Sequence, residues 1–97
     1  MVVEFEKQGR IAVITLNRPE ARNAINGEVA SRMEEILDAY EADPDIWVAI
    51  LTANGSAFCA GADLKERALM SDKETLEFLD KLNRCFDLIE NLEIPTI

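Results

Sequence analysis

The chain has 97 residues, 19 acidic against 10 basic side chains, a net charge of −9, two cysteines and no histidine. An apolar share of 48% with only four glycines and three prolines is the composition of a folded chain, neither disordered nor collagen-like. The acidic balance argues against nonspecific binding to nucleic acid or to an anionic membrane surface, and the lack of histidine removes Ser-His-Asp, Cys-His and histidine-ligated zinc chemistry from this chain.

The first residues, Met1-Val2-Val3-Glu4-Phe5-Glu6, alternate apolar and acidic, which is a strand pattern and not that of a signal peptide. Ile11, Val13, Ile14 and Leu16 form a second strand, and Gln8-Gly9-Arg10 between the two predicts a hairpin. The second run is β-branched and nearly continuous, so burial on both faces is expected. Asn17-Arg18-Pro19 ends it, because proline cannot donate to a ladder. Asn26 then reads as a helix cap, and Val29, Met33, Ile36, Leu37 and Tyr40 recur at helical spacing until Asp43-Pro44. Trp47–Leu51 is a short apolar strand with Trp47 expected in the core. Strand, helix, strand in this order predicts a right-handed βαβ crossover.

Past that strand lies the small, polar stretch Thr52–Leu64, at the carboxyl end where crevices of α/β sheets form. Ser71-Asp72-Lys73-Glu74 is a capping-box pattern. The stripe Leu76, Leu79, Leu82, Phe86 and Ile89, widened by Phe78, Cys85, Leu88 and Leu92, predicts a long helix packed through those residues. Pro95-Thr96-Ile97 begins a new strand, so the expected organisation is residues 1–97 as the N-terminal fragment of one larger domain. Cys59 and Cys85 match no metal spacing, no metal site is expected, and a reduced intracellular compartment is the simplest reading. The longest apolar run, Ile46–Leu51, is far too short to cross a bilayer.

The stretch with chemical promise is Phe58-Cys59-Ala60-Gly61-Ala62-Asp63-Leu64-Lys65-Glu66. Its small side chains admit a ligand close to the backbone, and N–H groups at such a turn can face an oxygen that gains negative charge. The same residues also describe a plain strand-to-helix turn, which is the commoner use. Asp63 reads as the cap of the following helix, Arg18 as a structural residue at the strand end, and Cys59 as a small hydrophobe.

Two motifs change the weight. Asn17-Arg18-Pro19-Glu20-Ala21-Arg22-Asn23-Ala24-Ile25 and Phe58–Glu66 resemble, in residue and spacing, two stretches of the enoyl-CoA hydratase/isomerase (crotonase) superfamily. Glu93-Ile94-Pro95-Thr96-Ile97 resembles that family's lead-in to its next central strand, and Glu66-Arg67-Ala68 with Met70 looks most like the methylglutaconyl-CoA hydratase branch. The resemblance implies an α/β fold: the first part of a spiral of ββα turns, with hairpin, helix, parallel strand, oxyanion loop and long helix, ending before the catalytic half. It implies an acyl-CoA hydratase or isomerase, which share the oxyanion loop, the hydratase adding water across a 2-enoyl-CoA, with coenzyme A entering only as part of the acyl-CoA substrate.

Carried over residue by residue, the resemblance makes the Ala62 N–H the first oxyanion donor. It places Ala21, Arg22, Ala60, Gly61, Ala62, Asp63, Leu64 and Lys65 against the substrate and its CoA moiety. Arg22 reads as a phosphate partner and as a solvated loop arginine alike, and the Lys65 ammonium as a phosphate partner or, more readily, as a cover for the helix start, with its backbone lining the site. The family's second donor and its catalytic glutamates match no position among the 19 acidic and other residues here. The resemblance further implies a homotrimeric or hexameric parent, found in the cytoplasm or in the mitochondrial matrix after loss of a presequence, and not secreted. A CoA-thioester-binding or oligomerisation piece without chemistry is the alternative. An RNA-binding role would call for a basic first helix, whereas residues 20–45 hold eight acidic and two basic side chains.

Overall fold

A computed structural model describes residues 1–92 and 95–97. The chain runs β1 (Val3–Gln8), β2 (Ile11–Leu16), α1 (Gly27–Glu41), β3 (Val48–Ala53), α2 (Leu64–Ala68) and α3 (Asp72–Glu90). A 3-10 turn at Pro19–Ala21 follows β2. β1 and β2 form the expected hairpin, with Gln8 opposite Ile11, so Gly9 and Arg10 make a two-residue turn. Gly9 takes φ +60°, which glycine adopts without the penalty a Cβ brings. The sheet order is β1-β2-β3, and β3 lies parallel to β2 from Ile11 opposite Val48 to Leu16 opposite Ala53. The carboxyl ends of β2 and β3 are therefore neighbours, and the two loops carrying the motifs leave the sheet side by side.

α1 forms where the sequence places it. The Asn26 side chain accepts from the Val29 N–H at 2.9 Å, a cap that contributes about 1 kcal/mol. Val29, Met33, Ile36, Leu37 and Tyr40 are all buried, at roughly 1.5–3 kcal/mol each before entropy is charged against them. They form one core with Val3, Ala12, Ile14, Leu16, Ile46 and Ala49 of the sheet side, and with Cys85 of α3.

The expectation that β2 is buried on both faces does not hold. Ala12, Ile14 and Leu16 are buried, whereas Val13 and Thr15 are half-buried and Ile11 is exposed. The core is one-sided, so only alternate residues enter it. Trp47 is likewise not a core residue. The strand starts one residue later, at Val48, and the indole is 60% exposed, with the Arg10 guanidinium 4.2 Å from its ring centre. The side chain that fills the core at this bend is Ile46.

α3 begins with the full capping box: Glu74 N–H donates to Ser71 Oγ at 3.1 Å, and Ser71 N–H donates to Glu74 Oε1 at 3.3 Å. Its buried line is Phe78, Leu82 and Cys85, while Leu76 and Phe86 are 65% and 50% exposed. The predicted stripe is thus rotated: α3 meets α1 through a narrow contact, and residues a step to either side stay in solvent. Lys81 Nζ to Ser31 Oγ (2.8 Å) and Arg84 to Glu34 (3.2 Å) flank that contact. Near the end of the chain, Ile97 N–H donates to the Ala49 carbonyl and Leu51 N–H to the Ile97 carbonyl, so Thr96 bridges to β3 in parallel as expected of a new strand. Glu93 and Ile94 of the same expectation lie outside the described residues. Among the described residues, no helix is long and apolar enough to cross a membrane.

Candidate functional site

The site is built from two loops, residues 17–26 after β2 and residues 54–63 after β3. Asn23 joins them. It is 1% exposed, and every polar group of its side chain is used. Its Oδ1 accepts from Arg18 N–H at 2.7 Å, and its Nδ2 donates to the carbonyls of Asn54 and Ala57, both at 2.8 Å. Arg22 and Asn23 hold φ +55° and +57°, a left-handed pair that turns the first loop back toward the second. Gly55, at φ +90°, lets the second loop pass Pro19; a Cβ there would sit 2.9 Å from the Pro19 Cβ.

Three backbone hydrogen bonds then zip the loops together: Ala60 N–H to Arg22 O (3.1 Å), Ile25 N–H to Gly61 O (2.7 Å) and Asp63 N–H to Ile25 O (2.9 Å). Gly61, at φ +98°, makes the kink between them, and its own N–H donates to Cys59 Sγ at 3.4 Å. Within residues 60–63, Ala62 N–H is the one donor with no hydrogen-bond partner among the described residues.

Asp63 caps α2 as expected: its Oδ1 accepts from the Lys65 and Glu66 N–H groups at 3.0 and 3.2 Å. Its Oδ2 lies 2.7 Å from the Arg18 guanidinium, which also donates to the Ala24 carbonyl at 3.0 Å. The hydrogen bond from Arg18 first, and those from the α2 backbone next, hold the Asp63 carboxyl below the usual carboxylate range. Asp63 is thus an ionised structural group. Glu66, on α2, reaches back to α1, its Oε1 accepting from Gly27 N–H at 2.9 Å.

Of the eight residues singled out in the sequence, Ala21, Ala60, Ala62, Asp63, Leu64 and Lys65 share one open groove of about 420 Å³, together with Arg18, Glu20 and Ala24. Gly61 serves through its backbone. Arg22 is exposed and lies outside the groove wall, its carbonyl spent on Ala60. A smaller apolar cavity of about 80 Å³ lies between the sheet, α1 and α3, with Phe58 and Cys59 of the second loop in its wall. Among the described residues, no cluster of carboxylates or cysteines is arranged to hold a metal ion. Sequence reasoning gave no role to Asn23 and Glu66. Asn23 stands inside a quoted motif but signals nothing by residue type, and Glu66 acts on a helix 39 positions earlier.

Residues 6–97 match the family model described as enoyl-CoA hydratase/isomerase. The chain is 38% identical over 96 residues to the short-chain-enoyl-CoA hydratase of Clostridium acetobutylicum, covering 98% of this chain and 37% of that protein. It is 35% identical over 96 residues to the mitochondrial methylglutaconyl-CoA hydratase of Homo sapiens, covering 98% of this chain and 28% of that protein. The crystal structure of an enoyl-CoA hydratase from Bacillus anthracis superposes with a TM-score of 0.94 at 28% identity, over 99% of this chain and 38% of that one. The chain therefore spans between 28% and 38% of the length of these three proteins. Sequence, fold and the two joined loops agree, and the chain belongs to the enoyl-CoA hydratase/isomerase family.

Proposed function

We propose that this chain supplies the first oxyanion-hole donor and the CoA-facing loop of an acyl-CoA hydratase or isomerase. The observation that carries the reading is the Ala62 N–H: its neighbours are spent on the loop's own structure, and it is left without a partner beside the groove. A donor left open beside a groove can exchange its water for a ligand acceptor. The thioester carbonyl oxygen of an acyl-CoA is an acceptor of the right kind. When water adds to the β-carbon of a 2-enoyl-CoA, the displaced π electrons move toward that oxygen, and a proton later closes the α-carbon. A donor fixed in advance stabilises the negative oxygen without reorganising.

The groove supports the same reading. Small side chains at Ala21, Ala60 and Ala62 let the ligand reach the main chain, and Lys65 offers a cation near its rim. The apolar cavity behind Phe58 and Cys59 suits an acyl tail. No residue of this chain is assigned as the proton-transferring base. Coenzyme A enters as part of the substrate, and oligomeric assembly belongs to the longer protein that carries such a chain.

The test compares Ala62→Gly with Ala62→Pro in a longer enzyme containing this sequence. Glycine keeps the N–H and is expected to hold kcat within about tenfold of the parent, whereas proline removes it. Loss of one such donor costs roughly 10²–10³ in kcat, with binding of free CoA close to normal. Weakened CoA binding with kcat unchanged would reduce Ala62 to a pocket-shaping residue. Full activity in a folded Ala62→Pro protein would remove the loop from the active site.

A further inference from the structure

The donor at Ala62 has to be held at a fixed angle, and the two ends of its loop are held differently. Upstream, Asn23 pins residues 54 and 57, and the backbone bonds to residues 22 and 25 fix residues 60–63. Downstream, the chain enters α2, which is only five residues long and buries none of them. Leu64 and Leu69, at its two ends, are 73% and 87% exposed, so no apolar side chain anchors it. α2 is held by two polar ties: Asp63 to Arg18 at its start, and Glu66 Oε1 to Gly27 N–H at 2.9 Å on its far side.

The second tie is closely fitted. Gly27 is the first residue of α1, where N–H groups lack intrahelical partners and the helix dipole favours a negative group. The Asn26 cap takes Val29 N–H, and Glu66 takes Gly27 N–H, so two of the first-turn donors of α1 each have a side-chain acceptor. A Cβ at residue 27 would stand 3.3 Å from Glu66 Oε1, tighter than ordinary contact, so the missing side chain at Gly27 makes room for this carboxylate.

Resting on the oxyanion reading of Ala62, we propose that Glu66 is a positioning residue for that donor: it ties α2 to the first turn of α1, so that the core-packed α1, together with the bonds of Gly61 and Asp63 to Ile25, sets the direction of the Ala62 N–H. Glu66 touches neither the carbonyl nor the groove wall. It acts through α2 and Asp63 on the Gly61–Ala62 peptide that carries the N–H, a peptide whose Gly61 carbonyl is bonded by Ile25 N–H, and misplacements of about 1 Å suffice to cost a site much of its rate or selectivity.

The experiment uses the ¹⁵N-labelled 97-residue chain with crotonyl-CoA and free CoA as probes. In the parent chain the Ala62 amide is expected to shift more on adding the thioester than on adding CoA, because only the thioester brings a carbonyl oxygen to the N–H. Glu66→Ala is expected to move the Ala62 amide already in the unliganded chain, and to lower the preference for thioester over CoA by about tenfold with CoA affinity unchanged. Glu66→Gln keeps an oxygen that can accept from Gly27, and is expected to restore both toward the parent. Gly27→Ala, which leaves Glu66 in place but crowds it, is expected to move the Ala62 amide in the same direction as Glu66→Ala.

If Glu66→Ala alters only amides of α1 and leaves Ala62 and the thioester preference untouched, Glu66 is a helix cap and the proposal is overturned. A parent Ala62 amide that ignores the thioester overturns the oxyanion reading instead, whatever Glu66→Ala does to the unliganded spectrum. Should Glu66→Ala lose its dispersed spectrum, the folded Glu66→Gln and Gly27→Ala chains decide: an Ala62 amide unmoved by Gly27→Ala overturns the proposal.

Discussion

The Arg18 guanidinium and the Asp63 carboxylate meet at 2.7 Å across the two loops, joining the end of β2 to the start of α2. Each keeps a second duty. Arg18 donates to the Ala24 carbonyl, and Asp63 accepts from the Lys65 and Glu66 N–H groups. Removing Arg18 therefore takes away the cation but leaves the carboxylate in its cap.

For Arg18→Ala the expected outcome is a lower melting temperature at neutral pH, with a gap to the parent that narrows in acid. The sign follows from the Asp63 carboxyl, which is held below its ordinary range by Arg18 first and the α2 backbone second. A lowered carboxylate contributes its full stabilisation above the ordinary aspartate range and loses it as pH falls through the lowered value. In Arg18→Ala the carboxyl titrates nearer its ordinary value, so part of that contribution is already missing. The lost bond to Ala24 does not titrate, so the gap narrows without closing. Thermal melts at pH 7 and at about pH 2, with carboxyl ¹³C shifts of Asp63, check both halves. A gap that is constant with pH would show that the pair does not couple to folding.

Asn23→Ala removes one acceptor and two donations at a site that is 1% exposed. Each buried partner left unsatisfied costs roughly 1–3 kcal/mol, and alanine also tolerates the positive φ less well, so a loss of about 3 kcal/mol or more is expected. Asn23→Asp keeps the acceptor for Arg18 N–H but turns a second oxygen toward the Asn54 and Ala57 carbonyls. Denaturant melts should rank Asn23→Asp at or below Asn23→Ala. An Asn23→Asp chain as stable as the parent would mean the amide donates to neither carbonyl.

Gly55→Ala tests the close passage of the loops. The added Cβ meets the Pro19 Cβ at 2.9 Å, and φ +90° is unfavourable for any residue with a Cβ. Strain and overpacking together should cost about 2–4 kcal/mol, read from denaturant midpoints. Unchanged stability would place Gly55 and Pro19 farther apart than they stand here.

Much of this was legible because it is local. The caps at Asn26, Asp63 and Ser71 and the apolar spacing of α1 depend on residues a few positions apart, and each forms as the sequence predicts. The pairing of the two motifs was legible only through resemblance, since it depends on β2 and β3 lying parallel in one register. What failed were judgements about which side of an element meets something else. Trp47, Leu76 and Phe86 are apolar, but the one-sided core and the narrow contact of α1 with α3 leave them outside it.

That difference gives a clean contrast within α3. Leu82 is buried and Leu76 is 65% exposed, though both belong to the same periodic stripe. Leu82→Ala should cost about 2–5 kcal/mol, the usual range for a truncated core leucine. Leu76→Ser should stay within about 0.5 kcal/mol of the parent, as surface changes do. Equal losses at the two positions would mean that the helix is buried on the wider face that the sequence suggested.

The 97-residue chain alone should not turn over a 2-enoyl-CoA, although it should distinguish thioester from free CoA. General acid–base catalysis contributes about 10²–10⁴-fold and works best with a group whose pKa lies near the working pH. Asp63, at the groove, is the opposite case: paired with Arg18, it is held below the carboxylate range and is a weak base. Glu66 is engaged with Gly27 N–H and lies outside the groove wall. The remaining carboxylate in that wall is Glu20, an exposed residue of the 3-10 turn. On the proposed reading the chain is expected to hold the thioester through one oxyanion donor, and among the described residues none is assigned as a base for the proton transfers. The measurement is the loss of conjugated-thioester absorbance of crotonyl-CoA with and without the chain. Turnover above background would overturn this expectation and point to Glu20; Glu20→Gln should then abolish it, while Ala62→Gly should not.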